Sequence, residues 1–167
     1  MLSELTHFVD VVQKAGYEVV VASPLGGKIP LDESSVIPKN MQDPANARFM
    51  KNQKLKASLE NSVKVSEVNV TDFESIYLSG GHGTIWDFRQ SSDLQKKLTE
   101  FHNAGKTLSG VCHGVAGYID TKDKNGNLIV KGKKITGFSN FEDGMAGTKK
   151  RMPVLLETEL KKKRSFL

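Results

Sequence analysis

The sequence is poor in cysteine and contains no long apolar run. Its 167 residues include a single cysteine, which excludes an internal disulfide and a zinc site built on several thiolates. No stretch of about 18 apolar residues occurs, so we expect no membrane-spanning helix. The first residues lack the basic and apolar segments of a secretory signal peptide. These absences together predict a cytoplasmic protein without a membrane partner.

Aromatic side chains that stack on nucleic-acid bases are also scarce, with one tryptophan and three tyrosines in the chain. The net charge of +5 by itself fits an anionic partner. Much of the positive charge, however, lies in two basic runs near the end of the chain, at residues 149–151 and 161–164. Such runs are usually solvated surface. We therefore predict no nucleic-acid partner.

Apolar strand patterns alternate with amphipathic helical patterns along the chain. Helices are predicted from Leu2 to Val12, from Pro44 to about Glu60, from a Ser92–Gln95 capping box to Gly105, and around Pro153. Strands are predicted at 17–23, 76–79, 107–111, 128–130 and 134–138. A long loop is predicted at 24–43. This order predicts an α/β sandwich with a mostly parallel sheet. Because a helix comes first and a lysine-rich helix comes last, we expect residues 1–167 to be a single partial domain whose first strand and C-terminal elements are missing.

The most specific motif is residues 110–114, which read GVCHG and directly follow an apolar strand. A nucleophile between two glycines at a strand-to-helix turn is the pattern of a nucleophile elbow. The dipole of a following helix lowers the pKa of a thiol from about 8.5 to between about 3.5 and 7.5. Cys112 is therefore predicted to be a reactive thiolate, although a small buried residue in a tight turn has the same sequence pattern.

All four histidines lie at or before position 113. This order excludes a glutamine amidotransferase or a papain-like protease, in which the histidine follows the cysteine at a distance. If a histidine assists Cys112, it is His113 or, as a second choice, His82.

A second glycine-rich turn, Gly80–Gly83, also follows a predicted strand. Its backbone N–H groups, with that of His113, are candidates for an oxyanion hole, and His82 and Gly83 for substrate binding. Glu142 and Asp143, on a predicted loop after strand 134–138, are candidates to orient His113, or else are ordinary surface acids. No metal site is predicted.

These residues resemble the ThiJ/PfpI superfamily, and within it the glutathione-independent glyoxalase III and heat-shock chaperone branch. The matching stretches are residues 15–19 (AGYEV), 22–24 and 26–30 (ASP, GGKIP), 80–84 and 86–87 (GGHGT, WD), 111–114 (VCHG) and 131–138 (KGKKITGF). They cover nearly the whole chain in the family's order. The resemblance implies a flavodoxin-like three-layer sandwich of the class I glutamine-amidotransferase-like type.

The resemblance also implies roles for individual residues. Cys112 matches the family's nucleophile and His113 its adjacent histidine. Asp143 falls at the acidic third position, with Glu142 as the neighbouring candidate. Glu4, which the pattern of the first helix alone marks as solvated, matches the glutamate that moves protons for the cysteine. Gly81 matches the oxyanion-hole glycine.

The implied activity is a cofactor-free conversion of methylglyoxal, a small 2-oxoaldehyde, into lactate through a hemithioacetal on Cys112. Three other functions stay open: a stress-response holdase chaperone or deglycase-like protein, a redox sensor, and an inactive truncated remnant. A peptidase is the least favoured alternative. Similar proteins are often dimers, so a homodimer is a further expectation.

Overall fold

The computed structural model of the protein describes residues 1–163, which divide into two compact units. The first unit is Met1–Val68, and the second begins at Asn69. The single domain expected over residues 1–167 stays a prediction. Among the described residues, no helix combines the length and the apolar character that crossing a lipid bilayer requires.

The first unit consists mainly of helices. Its elements are α1 (Leu2–Lys14), β1 (Ala22–Ser23), a 3₁₀ helix (Glu33–Val36), α2 (Pro38–Met41), α3 (Pro44–Lys51), α4 (Gln53–Glu60), β2 (Val63–Lys64) and a second 3₁₀ helix (Val65–Glu67). β1 and β2 pair in parallel, with Ala22 opposite Val63. The Asp43 side chain accepts hydrogen bonds from the first turn of α3 and fixes its start.

The core of the first unit forms where α1 meets α3 and α4. Leu2 and Val9, on one face of α1, are buried in a cluster with Phe49, Leu55 and Leu59. Burial of each such side chain stabilises the fold by about 1.5–3 kcal/mol. The apolar face that the sequence predicts for α1 therefore packs against α3 and α4 of the same unit.

Three sequence predictions for the first unit are wrong in part. Within residues 1–163, only Ala22–Ser23 of the strand predicted at 17–23 is assigned to a strand, because its partner β2 is two residues long. The loop predicted at 24–43 contains a 3₁₀ helix and α2. The helix predicted from Pro44 to Glu60 is interrupted at Asn52, whose side chain accepts a hydrogen bond from Leu55 N and caps α4.

The second unit carries the motifs at 80–83 and 110–114. Its elements are a 3₁₀ helix (Val70–Asp72), β3 (Ser75–Leu78), α5 (Thr84–Asp87), α6 (Ser92–Asn103), β4 (Thr107–Gly110), a 3₁₀ helix (Cys112–Tyr118), α7 (Asn140–Met145) and α8 (Leu156–Lys162). β3 and β4 pair in parallel along four residues, and Leu78 lies opposite Gly110 at their last pair. Both motifs therefore follow the carboxyl ends of neighbouring parallel strands, as the sequence predicts.

The connection between β3 and β4 contains α5 and α6, and Leu94, Leu98 and Phe101 of α6 are buried. The predicted capping box is wrong by one residue, because Ser91 rather than Ser92 accepts the hydrogen bond from Leu94 N. The Gln95 side chain does not cap the helix. It donates instead to the carbonyl oxygen of Gly117, 2.8 Å away, and so ties α6 to the segment after the elbow.

Predictions for the last third of the chain need more correction. Among residues 1–163, the segments 128–130 and 134–138 form no strand: Leu128 makes an isolated antiparallel bridge to Lys122, and Lys134 is a single bridge residue. α8 begins at Leu156, so Pro153 precedes it rather than lying in its first turn. Glu142 and Asp143 lie on α7 and not on a loop, because Ser139 and Glu142 form a capping box that starts a helix there.

Candidate active site

Cys112 stands at the turn between β4 and the following 3₁₀ helix, with a backbone φ of +53°. Among residues 1–163 it is the one residue other than glycine with a positive φ. An L-residue in this region costs about 1–2 kcal/mol relative to an ordinary conformation. The structure retains a strained cysteine where a glycine would be relaxed, which is typical of functional positions. Its side chain is half-buried.

The elbow packs directly onto the end of β3. Val111 N donates a hydrogen bond to Leu78 O at 3.1 Å. A Cβ atom at position 114 would overlap the Leu78 carbonyl oxygen and lie 2.8 Å from Ser79 O. Gly114 is therefore required so that the backbone after Cys112 can lie against the backbone that leads into Gly80–Gly83.

Cys112, His113 and Asp143 form a hydrogen-bonded row. The Cys112 Sγ atom lies 3.5 Å from His113 Nδ1. On the other side of the ring, His113 Nε2 lies 3.3 and 3.4 Å from the two Asp143 carboxylate oxygens. This geometry gives one nitrogen of His113 to the thiol and the other to the acid, which is the arrangement of a nucleophile, a base and an orienting carboxylate.

Burial and charge act on His113 in opposite directions. Its side chain and that of Asp143 are fully buried. Burial lowers the pKa of His113 below its ordinary value, and the carboxylate of Asp143 opposes part of that shift. Asp143 is itself held by Thr148, whose Oγ1 donates to Asp143 Oδ1 at 2.8 Å. The row is thus a fixed and largely dehydrated arrangement.

Of the two acids offered by the sequence, Asp143 contacts the histidine ring. Glu142, one residue before it, accepts hydrogen bonds from the Ser139 backbone N–H and hydroxyl, each at 2.8 Å. These bonds hold the pKa of Glu142 below its usual range and use its carboxylate as the cap of α7. Successive helical residues point in different directions, so one faces His113 and the other the helix start.

The turn after β3 places His82 beside His113. Their ring centroids are 4.7 Å apart, and each ring also contacts Phe138. Gly81 has a φ of +116°, and its carbonyl oxygen accepts from Thr84 N at 3.1 Å as α5 begins. Gly83 takes an ordinary helical conformation at the start of α5.

Glu4 is the candidate that belongs to the first unit. It lies half-buried in the first turn of α1. The remaining candidates, Gly81–Gly83, Cys112–His113 and Glu142–Asp143, all belong to the second unit. The proton-moving role of Glu4 stays a prediction.

Sequence reasoning missed two residues that shape the site. Phe138 packs its ring 4.5 Å from the ring of His113, and its N–H faces Cys112 O at 3.5 Å. Thr148 holds the Asp143 carboxylate. The sequence predicted Phe138, within KGKKITGF, only as a strand residue. No sequence pattern around Thr148 predicts its contact with Asp143.

One group of side chains in the site has the chemistry of metal ligands. His82, His113 and Asp143 each offer one ligand atom, and these atoms lie within 4.8 Å of one another. The expectation from the sequence was no metal site, because a single cysteine excludes a thiolate-rich one. These three residues are far apart in sequence and come together only through the fold.

Comparison with known proteins places these motifs in context. A model described as the DJ-1/PfpI family matches residues 2–155, which contain every candidate residue described above. Glyoxalase 3 of Candida albicans is 35% identical over 152 residues, which cover 86% of this chain and 61% of that protein. The glutathione-independent glyoxalase HSP31 of Saccharomyces cerevisiae is 32% identical over 147 residues, with the same coverage of 86% and 61%. The chain therefore spans about three fifths of the length of these curated relatives.

A solved structure shows the same likeness. The X-ray structure of the Francisella tularensis Rapid Encystment Protein 24 KDa superposes with a TM-score of 0.91 at 34% identity. The match covers 98% of this chain and 72% of that one. With the parallel pairs β1–β2 and β3–β4, it confirms the predicted α/β fold class of flavodoxin-like type.

Proposed function

The chain belongs to the DJ-1/PfpI family, as its motifs predicted, and on that premise we propose that its Cys112 site converts methylglyoxal into lactate without glutathione. The single observation that carries the proposal is the strained cysteine in a hydrogen-bonded row with His113 and Asp143. Relatives of about one-third identity that bear the name glyoxalase support the choice of substrate class.

The first step is attack by the Cys112 thiolate on the aldehyde carbon of methylglyoxal. A C–S bond forms, the aldehyde π electrons move to oxygen, and a proton completes the hemithioacetal. His113 Nδ1, at 3.5 Å from Sγ, is positioned to accept the thiol proton. Asp143 orients the ring by accepting from Nε2–H and stabilises the imidazolium while it exists.

The second step moves a proton between the two substrate carbons. In our proposal, Glu4 removes the hydrogen from the former aldehyde carbon, and an enediolate forms. Glu4 then returns the proton to the neighbouring carbon, which gives a lactoyl thioester on Cys112. The N–H groups of Gly81 and His113 stabilise the negative oxygen, and His82 and Gly83 bind the substrate.

The last step is hydrolysis of the thioester. Water adds to the thioester carbonyl, the C–S bond breaks, and the Cys112 thiol is regenerated as lactate leaves. The overall change is methylglyoxal plus water to lactate, so the oxidation of one carbon is balanced by the reduction of its neighbour. The reaction therefore requires no external oxidant or reductant, and our proposal assigns it no metal or organic cofactor.

The direct test is lactate formation from methylglyoxal by the whole chain, without glutathione. We expect turnover by the unmodified protein and none above background by Cys112→Ala. Lactate formation by Cys112→Ala at the unmodified rate would refute the proposal, as would its absence from a folded unmodified chain.

The role of Glu4 is tested separately. Glu4→Gln should keep the reaction of Cys112 with iodoacetamide while lactate formation stops, because the amide cannot exchange a proton as the carboxylate does. Circular dichroism controls for folding. Normal lactate formation by a folded Glu4→Gln chain would remove Glu4 from the mechanism and leave the first step intact.

A second candidate function, a holdase chaperone, has one specific observation in its favour. Phe141 and Met145, one turn apart on α7, are 74% and 75% exposed. Contiguous exposed apolar surface is typical of protein–protein interaction sites, and a holdase requires such surface to bind unfolded clients. Suppression of client aggregation that survives Cys112→Ala but is lost in a Phe141→Ser, Met145→Gln double variant would support it. The homodimer and the cytoplasmic location also stay predictions.

A further inference from the structure

His82, His113 and Asp143 bring two imidazole rings and one carboxylate to one place. Their ligand atoms lie within 4.8 Å of one another. Two imidazoles with a carboxylate form a donor set typical of zinc, whereas magnesium and calcium prefer sets made of oxygen alone. We propose that these three residues form a zinc site, in which Zn²⁺ takes the place of the proton between His113 and Asp143.

The distance between the ligand atoms of His113 and Asp143 already fits a shared zinc ion. Zinc binds nitrogen and carboxylate oxygen at about 2.0–2.2 Å, so two ligand atoms in a tetrahedral site are about 3.3–3.5 Å apart. His113 Nε2 and Asp143 Oδ1 are 3.3 Å apart. The His82 nitrogen has to approach by about 1.5 Å at most, which a rotation of its ring supplies.

An independent observation points to a ligand at His82. Its Nε2 atom is buried and has no hydrogen-bond partner among residues 1–163. Buried polar atoms without a partner are uncommon, and each calls for an explanation such as an ion. His82 as a whole residue is only part-buried, unlike His113 and Asp143.

The two ring nitrogens of His113 face different partners, so one can bind zinc while the other contacts the thiol. Nε2 faces Asp143, while Nδ1 lies 3.5 Å from Cys112 Sγ. With zinc on Nε2, the single proton of the neutral ring moves from Nε2 to Nδ1, where it is donated to the sulfur, as metal-bound histidines donate their second N–H. The thiol itself is not a ligand in this arrangement.

Inhibition is the functional consequence, and this part rests on the proposed glyoxalase activity. A zinc-bound His113 cannot accept the thiol proton or form the imidazolium that Asp143 stabilises. Zinc should therefore stop lactate formation, and a chelator should restore it.

The test is equilibrium competition for Zn²⁺ between the whole chain and a chromophoric chelator. We expect one zinc per chain in the unmodified protein. His82→Gln and Asp143→Asn should each weaken binding at least about tenfold, because each removes one ligand. His7→Gln and His102→Gln are matched controls. His7 forms a surface pair with Asp43 at 3.0 Å, and both variants should bind zinc as the unmodified chain does.

Three results would overturn the site. They are no stoichiometric binding by the folded chain, full affinity in His82→Gln, or a loss in Cys112→Ala as large as in His82→Gln, which would indicate a thiolate site. Circular dichroism verifies that each variant is folded, and His82→Gln decides the matter if Asp143→Asn does not fold. Binding is measured without turnover, so a chain that makes no lactate leaves the zinc result standing. An active chain that binds no zinc refutes the zinc site alone.

Discussion

Two glycine-rich turns follow the neighbouring strands β3 and β4, and they differ in the type of residue that has a positive φ. After β3, the positive φ of +116° falls on Gly81, which adopts it without strain. After β4, the positive φ of +53° falls on Cys112, although Gly110 and Gly114 lie two residues away on either side. The chain thus uses glycine where it needs only a turn, and a strained cysteine where it needs a side chain.

This difference separates residues that shape the site from residues that act in it. Gly114 is required by the approach of backbone to backbone, since a side chain there meets the Leu78 and Ser79 carbonyl groups. Cys112 is not required by the turn, which would be less strained with glycine. Conformational strain without a structural benefit is therefore the better indicator of chemistry in this molecule.

The largest expected effect is on catalysis at the two turns. Cys112→Ala should reduce lactate formation about 10³-fold or more, because no covalent intermediate forms. His82→Gln, on the β3 turn, should reduce it about tenfold, since a glutamine still donates a hydrogen bond to substrate. Steady-state rates of lactate formation measure both. An equal loss in the two variants would contradict the division between a reacting turn and a supporting turn.

The next effect is on stability and compares a glycine from each turn. Gly114→Ala should lower the free energy of unfolding by about 3 kcal/mol, because the new methyl group meets backbone that cannot move aside. Gly83→Ala should change it by about 0.5 kcal/mol or less, because no atom lies within 4 Å of the added Cβ and the backbone is helical. Urea denaturation provides the measurement. Similar midpoints for the two variants would show that the elbow does not depend on this close approach.

A smaller effect is expected from the acid that orients the elbow histidine. Asp143→Asn should reduce lactate formation about 10- to 100-fold, because an amide no longer stabilises the His113 imidazolium. Glu142→Gln should cost less activity, since that carboxylate caps α7 and does not contact the ring. The two rates are compared at one pH and with folding verified by circular dichroism. A larger loss in Glu142→Gln would exchange the roles of the two acids.

The smallest effect concerns the strain at Cys112 itself. Cys112→Gly and Cys112→Ala both remove the thiol, but only glycine relieves the positive φ. Cys112→Gly should be more stable than Cys112→Ala by about 1 kcal/mol, which is the relief of strain less the greater backbone entropy of glycine when unfolded. Thermal or urea denaturation of the two variants decides it, and an alanine variant of equal or greater stability would mean that the turn is not strained.

Local patterns were enough to locate the elbow, the second turn and the helices α1, α3 and α6. GVCHG after an apolar strand predicted a nucleophile at a turn, and the structure has that turn. These features depend on neighbours within a few residues, such as the caps at Asp43 and Ser91. Capping can still be misread by one residue, as at Ser92, because adjacent serines offer the same side chain.

The strands and side-chain contacts of the last third of the chain were predicted less well from the sequence, for a physical reason. Residues 134–138 have strand-like composition, yet within the described part of the chain they form no strand beyond a single bridge residue at Lys134, and they bring Phe138 to the His113 ring. β-propensity describes side chains that suit a half-buried extended segment, and such a segment need not be paired. The contact of Thr148 with Asp143 has no sequence signal, because a hydroxyl near an acid is common on any surface.

From the sequence alone we predicted a reactive cysteine and located the turn that presents it, since a cysteine between closely spaced glycines after a strand is a local arrangement. The position of Asp143 against His113, and that of His82 beside the same ring, became known from the folded structure. Those positions depend on the direction in which α7 and the β3 turn project their side chains, and direction is set by packing between segments that are 30 or more residues apart in the chain.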